Sequence, residues 1–371
     1  MKIYDPLHLE WEYFRQHGPI YGEYSGNVRW EDTYAPYYES EGFIRGDNER
    51  CVFYNEEHDC LILVYTDDNF FDAEEDAIVW GSEMLGSRFD CKELQWIIPE
   101  APPIDYLGME LAIANQRTSI CMSQYIANCL EILEWTDIRP ARVPMIGPIM
   151  GDSPRLGTDK TAKFYTGVGF LSWLSATERV DIAHTWNRIG QWQANPNESA
   201  FAALYQAFRY LSGTRHLQLS APLNQPDKRL DRCIFDDVST NDQHHWEFYC
   251  DSDFAGNTEE NPAEPVKRRS QNGTLAMLNG TPVYWSSKIT SVAFATPLIG
   301  EAHADTSSGA AEVYCAGNAT QDILHLSYVA EEMNIPFPRP FVLQMDNTAA
   351  ECFANNTCFK SKLKHIDNRQ E

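Results

Sequence analysis

Three carboxylates in separate predicted elements restrict the folds open to this chain more than any other feature. The run Tyr249–Gly256 reads as a strand that ends in acids, among them Asp251, and then a glycine turn. Glu312 lies inside a long helical pattern, and Asp346 ends a second strand-like run. Because Mg²⁺ prefers oxygen ligands gathered from separate elements, this pattern predicts a divalent-metal site. Two such ions can clamp the attacking and leaving oxygens of a phosphodiester.

A second acidic feature lies far upstream in the chain. The apolar run Leu61–Tyr65 and the pair Phe70-Phe71 flank Thr66–Asn69, which predicts a hairpin with Asp67 and Asp68 at its tip. Such a pair could hold metal ions. It could equally form a solvated acidic turn, because Asp favours turns. The hairpin by itself leaves both interpretations open.

The charge of the chain opposes tight binding to nucleic acid. The formal net charge is −25. Residues 1–110 carry 7 basic and 25 acidic residues, hence −18, and the remainder carries −7. Proteins that grip nucleic acid usually gain affinity from Lys and Arg against phosphate. The acidic excess therefore favours a protein-binding surface, although local basic patches remain compatible with it.

Composition excludes several classes of protein. Apolar runs such as Cys60–Tyr65 reach strand length and not the length of a membrane span, so no membrane association is expected. The first residues lack a basic-then-apolar secretory pattern. Ten cysteines without a Cys-x-x-Cys pair predict reduced thiols of an intracellular protein, with no distinction between cytoplasm and nucleus.

The periodicity of the chain predicts a mixed α+β fold. Ser123 is a plausible N-cap, and residues 218–245, which are polar and contain prolines, predict a linker. The predicted helices are Ala73–Leu85, Phe164–Ala176, Asp181–Gln193, Ser199–Leu211 and Ala310–Met333. The predicted strands are Ile104–Ala114, a strand from Trp246, Thr274–Leu278, Val283–Ser286 and Phe341–Met345.

An ordered series of short motifs makes the chain similar to one known family. The series comprises Tyr65-Thr66-Asp67-Asp68, Leu107-Gly108-Met109, Arg179-x-Asp181, Arg209-Tyr210-Leu211-x-Gly213, Asp251-Ser252-Asp253-Phe254-Ala255-Gly256, Arg269-Ser270, Trp285-Ser286-Ser287-Lys288, Glu312, Asp346-Asn347 and Lys364-His365-Ile366-Asp367. Each motif alone is weak, whereas their order and spacing from about Gly18 onward are specific. The chain resembles the C-terminal part of the Pol polyprotein of copia-type LTR retrotransposons.

The resemblance implies an α+β architecture with four parts. Residues 1–135 correspond to a partial reverse-transcriptase palm and the start of the thumb, and residues 136–217 to the helical thumb and connection. Residues 218–245 form the linker, and residues 246–371 correspond to a C-terminally truncated ribonuclease H-like domain.

The resemblance also implies roles for individual residues. Asp251, Glu312 and Asp346 correspond to catalytic ribonuclease H carboxylates that hold Mg²⁺ or Mn²⁺ in a two-metal arrangement. Asp67 and Asp68 correspond to the polymerase acids that hold the metals of nucleotide addition. Arg269 and Lys288 are expected to contact nucleic acid. The implied partners are an RNA–DNA hybrid or a template–primer, with completion by further polyprotein segments.

Two spacings compete for the helix carboxylate. Counting forward from Trp285 leads to Glu301, whereas counting backward from Glu331-Glu332-Met333 leads to Glu312. The counts differ by eleven residues, which implies an insertion in residues 296–306. Glu312 is preferred because the residues after it continue the helical pattern, whereas Pro297 and Gly300 favour a loop around Glu301.

Both catalytic sets implied by the resemblance are incomplete in the chain. The polymerase set requires a carboxylate from a strand before Tyr21, and the nuclease set a fourth carboxylate on a helix after Asp367. We therefore expect a fragment of a retrotransposon reverse transcriptase and ribonuclease H that is inactive as a polymerase and weak or inactive as a nuclease alone. The alternative is a domesticated, non-catalytic scaffold that binds nucleic acid or protein.

Overall fold

A computed structural model describes residues 2–5, 10–13, 26–223, 244–253, 270–289 and 308–354. The described residues form helices and antiparallel sheets, with one parallel strand pair, which is compatible with the predicted α+β class. No helix in these ranges combines the length and apolarity that crossing a membrane requires. The chain divides into two compact units, residues 1–94 with 325–336 and residues 95–324 with 337–371.

The first unit is built around a four-stranded antiparallel sheet. Its elements are β1 (Lys2–Asp5), β2 (Glu10–Tyr13), α1 (Gly26–Ser40), β3 (Ile44–Arg45), β4 (Val52–Asn55), β5 (Cys60–Tyr65), β6 (Asp68–Asp72) and α2 (Glu75–Arg88). Strands β3 to β6 pair in sequence order, and β1 pairs with β2. Aromatic side chains of α1, among them Tyr34 and Tyr38, pack edge-on against Phe53 of the sheet. This packing explains why the aromatic-rich start of the chain folds although it is strongly acidic.

The second unit contains a sheet and a helical core that lie next to each other in sequence. Its first elements are β7 (Ile104–Tyr106), β8 (Met109–Ala114), β9 (Arg117–Cys121), α3 (Ser123–Ile132), α4 (Thr158–Thr177), a short 3₁₀ helix (Val180–Ile182), α5 (Ala183–Gly190), α6 (Glu198–Gly213) and β10 (Gln218–Pro222). The sheet has the order β10-β9-β8-β7. The helices bury one continuous apolar cluster that includes Phe164, Leu171 and Phe208.

The second unit also holds a mixed sheet that carries one of the three predicted metal ligands, Asp251 on its first strand. Its elements are β11 (Trp246–Asp253), β12 (Gln271–Leu278), β13 (Thr281–Ile289), α7 (Ser308–Glu332), β14 (Leu343–Gln344) and α8 (Thr348–Ala354). The order is β13-β12-β11-β14, antiparallel except for the parallel pair of β11 and β14. Helix α7 belongs to this unit through Leu324 and to the first unit from His325.

The structure confirms most predicted elements and corrects several. The hairpin around Thr66–Asn69 forms as β5 and β6, and each predicted helix has a counterpart. The predicted single strand Ile104–Ala114 is wrong, because Leu107 and Gly108 both adopt positive φ and turn the chain into the hairpin of β7 and β8. Apolar residues on both sides of this turn gave the sequence the look of one continuous strand.

Two further differences concern element ends. Ser123 is the first residue of α3 and not its N-cap, and Met122 in the cap position provides no side-chain bond. The Glu110 carboxylate instead accepts a hydrogen bond from the backbone N–H of Gln124 in the first turn. Residues Gln218–Pro222, predicted as the start of the linker, form β10, because they pair along their whole length with β9. Residues 224–243 of the predicted linker lie outside the described residues, and the four-part division of the chain stays a prediction.

Candidate metal centre

The structure brings together the three carboxylates that the sequence analysis singles out. One carboxylate oxygen each of Asp251, Glu312 and Asp346 lies within 4.8 Å of the others. Asp251 comes from β11, Glu312 from α7, and Asp346 from the residues between β14 and α8. Three separate elements therefore deliver acids to one point, although like charges repel at such distances.

The parallel pairing of two strands aligns two of these acids. Strand β11 pairs with β14 through Phe248 opposite Leu343 and Tyr249 opposite Gln344. Asp251 follows Tyr249 by two residues, and Asp346 follows Gln344 by two residues. Because parallel strands run in the same direction, this register places the two acids side by side, just beyond the paired residues. Both carboxylates are exposed.

Helix α7 supplies the third acid from a buried face. Ala311, Cys315, Ala319 and Ile323 are fully buried and recur every fourth residue, which defines one side of the helix. The small side chains at the first three positions allow the helix to lie close to its neighbours. Glu312 adjoins this stripe and is only 4% exposed, so it is not a solvated acid on the outer face of the helix.

The surroundings of Glu312 are unfavourable for its charge. Burial, reinforced by the negative charges of Asp251 and Asp346, raises the pKa of Glu312 to about 7. The backbone N–H of Ser252 opposes this shift by donating a hydrogen bond to the carboxylate. Oε2 of Glu312 is buried and has no hydrogen-bond partner among the described residues. An orphaned carboxylate oxygen that lies close to two other acids is the arrangement that a bound cation would satisfy.

The donor set fits a hard divalent cation. All three side chains present carboxylate oxygens, which are the ligands that Mg²⁺ and Mn²⁺ prefer. Two exposed acids leave one side of the group accessible from solvent, while Glu312 anchors the other side in the packed interior. A group with one buried and two exposed carboxylates can hold a cation and still admit a phosphate from solvent.

The two acids of the upstream hairpin have different surroundings. Asp67 lies in the turn after β5, Asp68 begins β6, and both are exposed. Thr66 in the turn has a φ of 57°, and its carbonyl accepts a hydrogen bond from the indole N–H of Trp30. Within the part of the chain that the structure describes, no third acid, cysteine or histidine joins them in a cluster.

The other predicted site residues divide between described and undescribed parts of the chain. Lys288 on β13 is 66% exposed and lies 3.8 Å from the Asp322 carboxylate of α7. Arg269 and Glu301 lie outside the described residues. The structure therefore places Glu312 close to Asp251 and Asp346, and it does not describe Glu301.

Two residues behind the carboxylates were missed by the sequence analysis. Cys250 on β11 and Cys315 on α7 are both buried, and the Cys315 thiol donates a hydrogen bond to the carbonyl oxygen of Asp251 at 3.1 Å. A signal existed, since Cys250 precedes Asp251 and Cys315 follows Glu312 by nearly one helical turn. Pairing these positions required the packing of α7 on β11, which spacing along the chain does not reveal.

Comparison with known proteins supplies two relatives. The chain is 22% identical over 366 residues to the retrovirus-related Pol polyprotein from transposon TNT 1-94 of Nicotiana tabacum. It is 25% identical over 358 residues to the retrovirus-related Pol polyprotein from transposon RE1 of Arabidopsis thaliana. Each alignment covers 94% of this chain but only 24% and 21% of the respective polyproteins, so the chain spans less than a quarter of their length.

Two other comparisons gave no match. No family model matches the chain, and the comparison with solved structures found no match. The similarity to the two plant polyproteins nevertheless runs through almost the whole chain. It confirms the resemblance drawn from the ordered motifs: over nearly all of its length the chain is similar to part of the Pol polyproteins of copia-type retrotransposons.

Proposed function

We propose that the chain is the reverse transcriptase and ribonuclease H region of a retrotransposon polyprotein, and that its chemistry is metal-dependent cleavage of RNA in an RNA–DNA hybrid. The observation that carries the proposal is the convergence of Asp251, Glu312 and Asp346 within 4.8 Å. The coarser part, a region derived from a retrotransposon polyprotein, has the support of both plant relatives. The nuclease activity is a further inference from the three-carboxylate group.

The topology around the acids supports a ribonuclease H-like domain. Three antiparallel strands precede a long helix, and a fourth strand then pairs in parallel with the first. The acids follow the same order, with one on the first strand, one on the helix and one after the fourth strand. This is the placement that the resemblance implies for residues 246–371.

Asp251, Glu312 and Asp346 would hold Mg²⁺ or Mn²⁺ in this centre. Such an ion supplies a more acidic bound water and neutralises charge on the phosphate. The protein contributes the positions of the three oxygen donors. The N–H of Ser252 orients the Glu312 carboxylate, and burial of Glu312 limits its rotation. Without a cation the three acids repel a phosphate, which makes binding of hybrid at this point dependent on metal.

We propose no polymerase activity for the hairpin acids. Asp67 and Asp68 are exposed, and they lack a third acid within the described ranges. A pair on a turn can bind a cation only loosely, because neither burial nor a third ligand fixes its geometry. In this proposal the hairpin resembles a polymerase motif in sequence but does not act as a polymerase site.

The net charge of −25 sets the expected strength of the nuclease. Affinity for a hybrid depends on cations against phosphates, so an acidic chain alone binds weakly and cleaves slowly. The same charge favours the second candidate, a non-catalytic scaffold that binds protein. The two candidates differ in one observable, which is metal-dependent cleavage.

A hybrid-cleavage assay with matched variants tests the proposal. The substrate is an RNA–DNA hybrid labelled on its RNA strand, and the variants are Asp251→Asn and Asp253→Asn. Both substitutions remove one exposed acid from β11, but only Asp251 belongs to the three-carboxylate group. We expect slow Mg²⁺-dependent cleavage that Asp251→Asn reduces by about 100-fold or more and Asp253→Asn leaves within about threefold. Cleavage that persists in Asp251→Asn, or that is absent in the unaltered chain at high protein concentration, would contradict the nuclease.

A further inference from the structure

Strand β6 forms one edge of the four-stranded sheet in the first unit. The sheet has the order β3-β4-β5-β6, so among the described strands β6 pairs only with β5. The strand at the opposite edge, β3, has two residues, whereas β6 has five. An edge strand presents backbone N–H and C=O groups to solvent, and another extended chain can pair with them.

The register of the hairpin shows which backbone groups of β6 point outward. In an antiparallel pair, residues that exchange hydrogen bonds alternate with residues that do not. The N–H of Val64, the residue opposite Asn69, bonds to the carbonyl oxygen of Cys51 on the far side of β5. The backbone groups of Asn69 and Phe71 therefore point away from β5. Within the described ranges, neither residue makes a backbone hydrogen bond to another segment.

Three side chains of β6 share the face of the sheet that is turned away from α1. The hydroxyl of Tyr38 on α1 donates a hydrogen bond to Oδ1 of Asn69 at 2.9 Å, which places Asn69 on the face towards α1. Because successive side chains of a strand point to opposite faces, Asp68, Phe70 and Asp72 lie on the other face. Both acids are exposed, and Phe70 is half-buried. This face of β6 therefore presents an acid, an aromatic ring and an acid in turn.

The sequence around β6 is strongly acidic. Residues 51–87 contain ten acidic residues and no lysine or arginine, and exposed acids continue after β6 at residues 74–76. Opposite charges on directly paired strands stabilise the pairing, whereas like charges destabilise it. A second copy of the chain that paired antiparallel about Phe70 would place Asp68 opposite Asp72. The charges of β6 therefore disfavour a second copy and favour a basic chain.

The opposite edge of the same sheet differs in charge. Arg45 on β3 lies 2.8 Å from the Glu31 carboxylate, and Arg50 lies 2.8 Å from the same carboxylate oxygen. A short edge with two guanidinium groups does not favour a basic chain. Charged side chains on an edge strand deter indiscriminate pairing, and the two acids of β6 leave pairing open to a chain of opposite charge.

We propose that β6 is a docking edge for an extended basic segment of a partner protein, which adds a fifth strand to the sheet. The segment carries an apolar residue opposite Phe70 and a lysine or arginine opposite each of Asp68 and Asp72. Hydrogen bonds to the backbone of Asn69 and Phe71 provide affinity, and the alternating side chains provide selectivity. The surrounding negative charge speeds the encounter. This docking requires no metal and is independent of the proposed nuclease.

Peptide binding to the full chain tests the docking edge. The probe is a capped peptide with a central valine, a lysine two positions away on each side, and threonine at the remaining positions. One control peptide has glutamate in place of lysine, and a second keeps both lysines but is N-methylated at the two residues that face Asn69 and Phe71. We expect the probe to bind at least about tenfold more tightly than either control, measured by fluorescence anisotropy. Equal binding of the N-methylated peptide would reduce the interaction to charge alone and overturn strand docking.

Two matched variants separate the strand from its acidic surroundings. Asp72→Asn removes an exposed acid from β6, whereas Asp76→Asn removes an exposed acid from the first turn of α2. We expect Asp72→Asn to weaken probe binding about threefold and Asp76→Asn by less than about 1.5-fold. Equal weakening by both variants would show a diffuse charge effect and contradict docking at the edge.

Amide hydrogen exchange locates the bound probe. We expect the backbone amides of Asn69 and Phe71 to exchange at least about fivefold more slowly with the probe bound, and those of Ile44 and Arg45 on β3 to stay unchanged. Protection at β3, or none at β6, would overturn the proposal. Sedimentation of the chain alone tests the other occupant. A dimer that dissociates when the probe is added would assign the edge to a second copy and not to a basic partner.

Discussion

Two acidic features of the chain share composition and differ in what surrounds them. Asp67 and Asp68 lie on an exposed turn of the first unit. Asp251, Glu312 and Asp346 converge in the second unit from two strand ends and a helix, with Glu312 buried. The difference teaches that convergence and burial, and not the presence of paired acids, distinguish a candidate metal centre from a polar turn.

Removal of the buried acid should have the largest effect. Glu312→Gln keeps the volume but removes the charged ligand, and we expect its Mn²⁺ affinity to fall by about 1,000-fold, or roughly 4 kcal/mol. The matched comparison is the double variant Asp67→Asn with Asp68→Asn, which should stay within about twofold. Titration of Mn²⁺ monitored by electron paramagnetic resonance measures both. A larger loss in the hairpin variant would reverse the comparison between the two regions.

A buried acid outside the three-carboxylate group shows what burial does without convergence. Glu178 is only 2% exposed, and its carboxylate oxygens make no side-chain hydrogen bond among the described residues. Burial raises its pKa to about 7, with Asp181 adding to the shift and Arg179 opposing it. No cluster of three ligand residues includes Glu178 within the described ranges.

The raised pKa of Glu178 makes stability depend on pH. The folded protein holds this proton more tightly than the unfolded chain, whose carboxyl pKa is near 4.5. The stabilisation is therefore complete below pH 4.5 and is lost as pH rises through about 7. We expect Glu178→Gln to stabilise the protein by about 2 to 3 kcal/mol at pH 8 and by almost nothing at pH 4.5. Denaturant unfolding at both pH values measures this difference. An equal effect of Glu178→Gln at both pH values would show that burial does not raise the pKa of Glu178.

The hairpin turn offers a smaller test of its structural character. Thr66 adopts a φ of 57°, a conformation that disfavours β-branched side chains. We expect Thr66→Gly to raise the free energy of unfolding by about 1 kcal/mol and to leave Mn²⁺ affinity unchanged. Thermal unfolding with and without Mn²⁺ provides both readouts. A loss of metal affinity would show that the turn takes part in the centre.

Surface charge near the mixed sheet should have the smallest effect. Lys288 is exposed beside Asp322, and Lys160 is an exposed lysine paired with Glu198 elsewhere in the second unit. We expect Lys288→Ala to weaken hybrid binding about twofold to threefold. The slope of hybrid affinity against salt concentration should fall by the equivalent of about one phosphate contact. Lys160→Ala is the matched control and should have no effect. Equal weakening by both would indicate nonspecific charge and not a local contact.

The sequence singled out three acids that the structure brings together, but it misplaced several boundaries of the fold. Asp251 and Asp346 could be found because each follows an apolar strand pattern, and Glu312 because the residues after it continue a helix. Their convergence depends on the parallel register of β11 with β14, which short local patterns do not encode. The sequence pattern predicted a metal site, but it contained no direct sign that Glu312 would be buried.

Errors in the fold have local physical causes. The turn at Leu107 and Gly108 interrupts an apolar run without a strong change in composition, so one strand was predicted where a hairpin forms. Residues of β10 are polar enough to suggest a linker, yet their backbone groups pair with β9. Both cases show that backbone pairing between distant segments overrides the local pattern.

Locating bound Mn²⁺ by anomalous X-ray diffraction tests the central claim most directly. Crystals soaked in Mn²⁺ would show the ion at its own absorption edge without interference from other scatterers. We predict an anomalous peak within coordination distance of the Asp251, Glu312 and Asp346 carboxylates, and no comparable peak at Asp67 and Asp68. A peak at the hairpin with none at the three-carboxylate group would contradict the assignment of the metal centre.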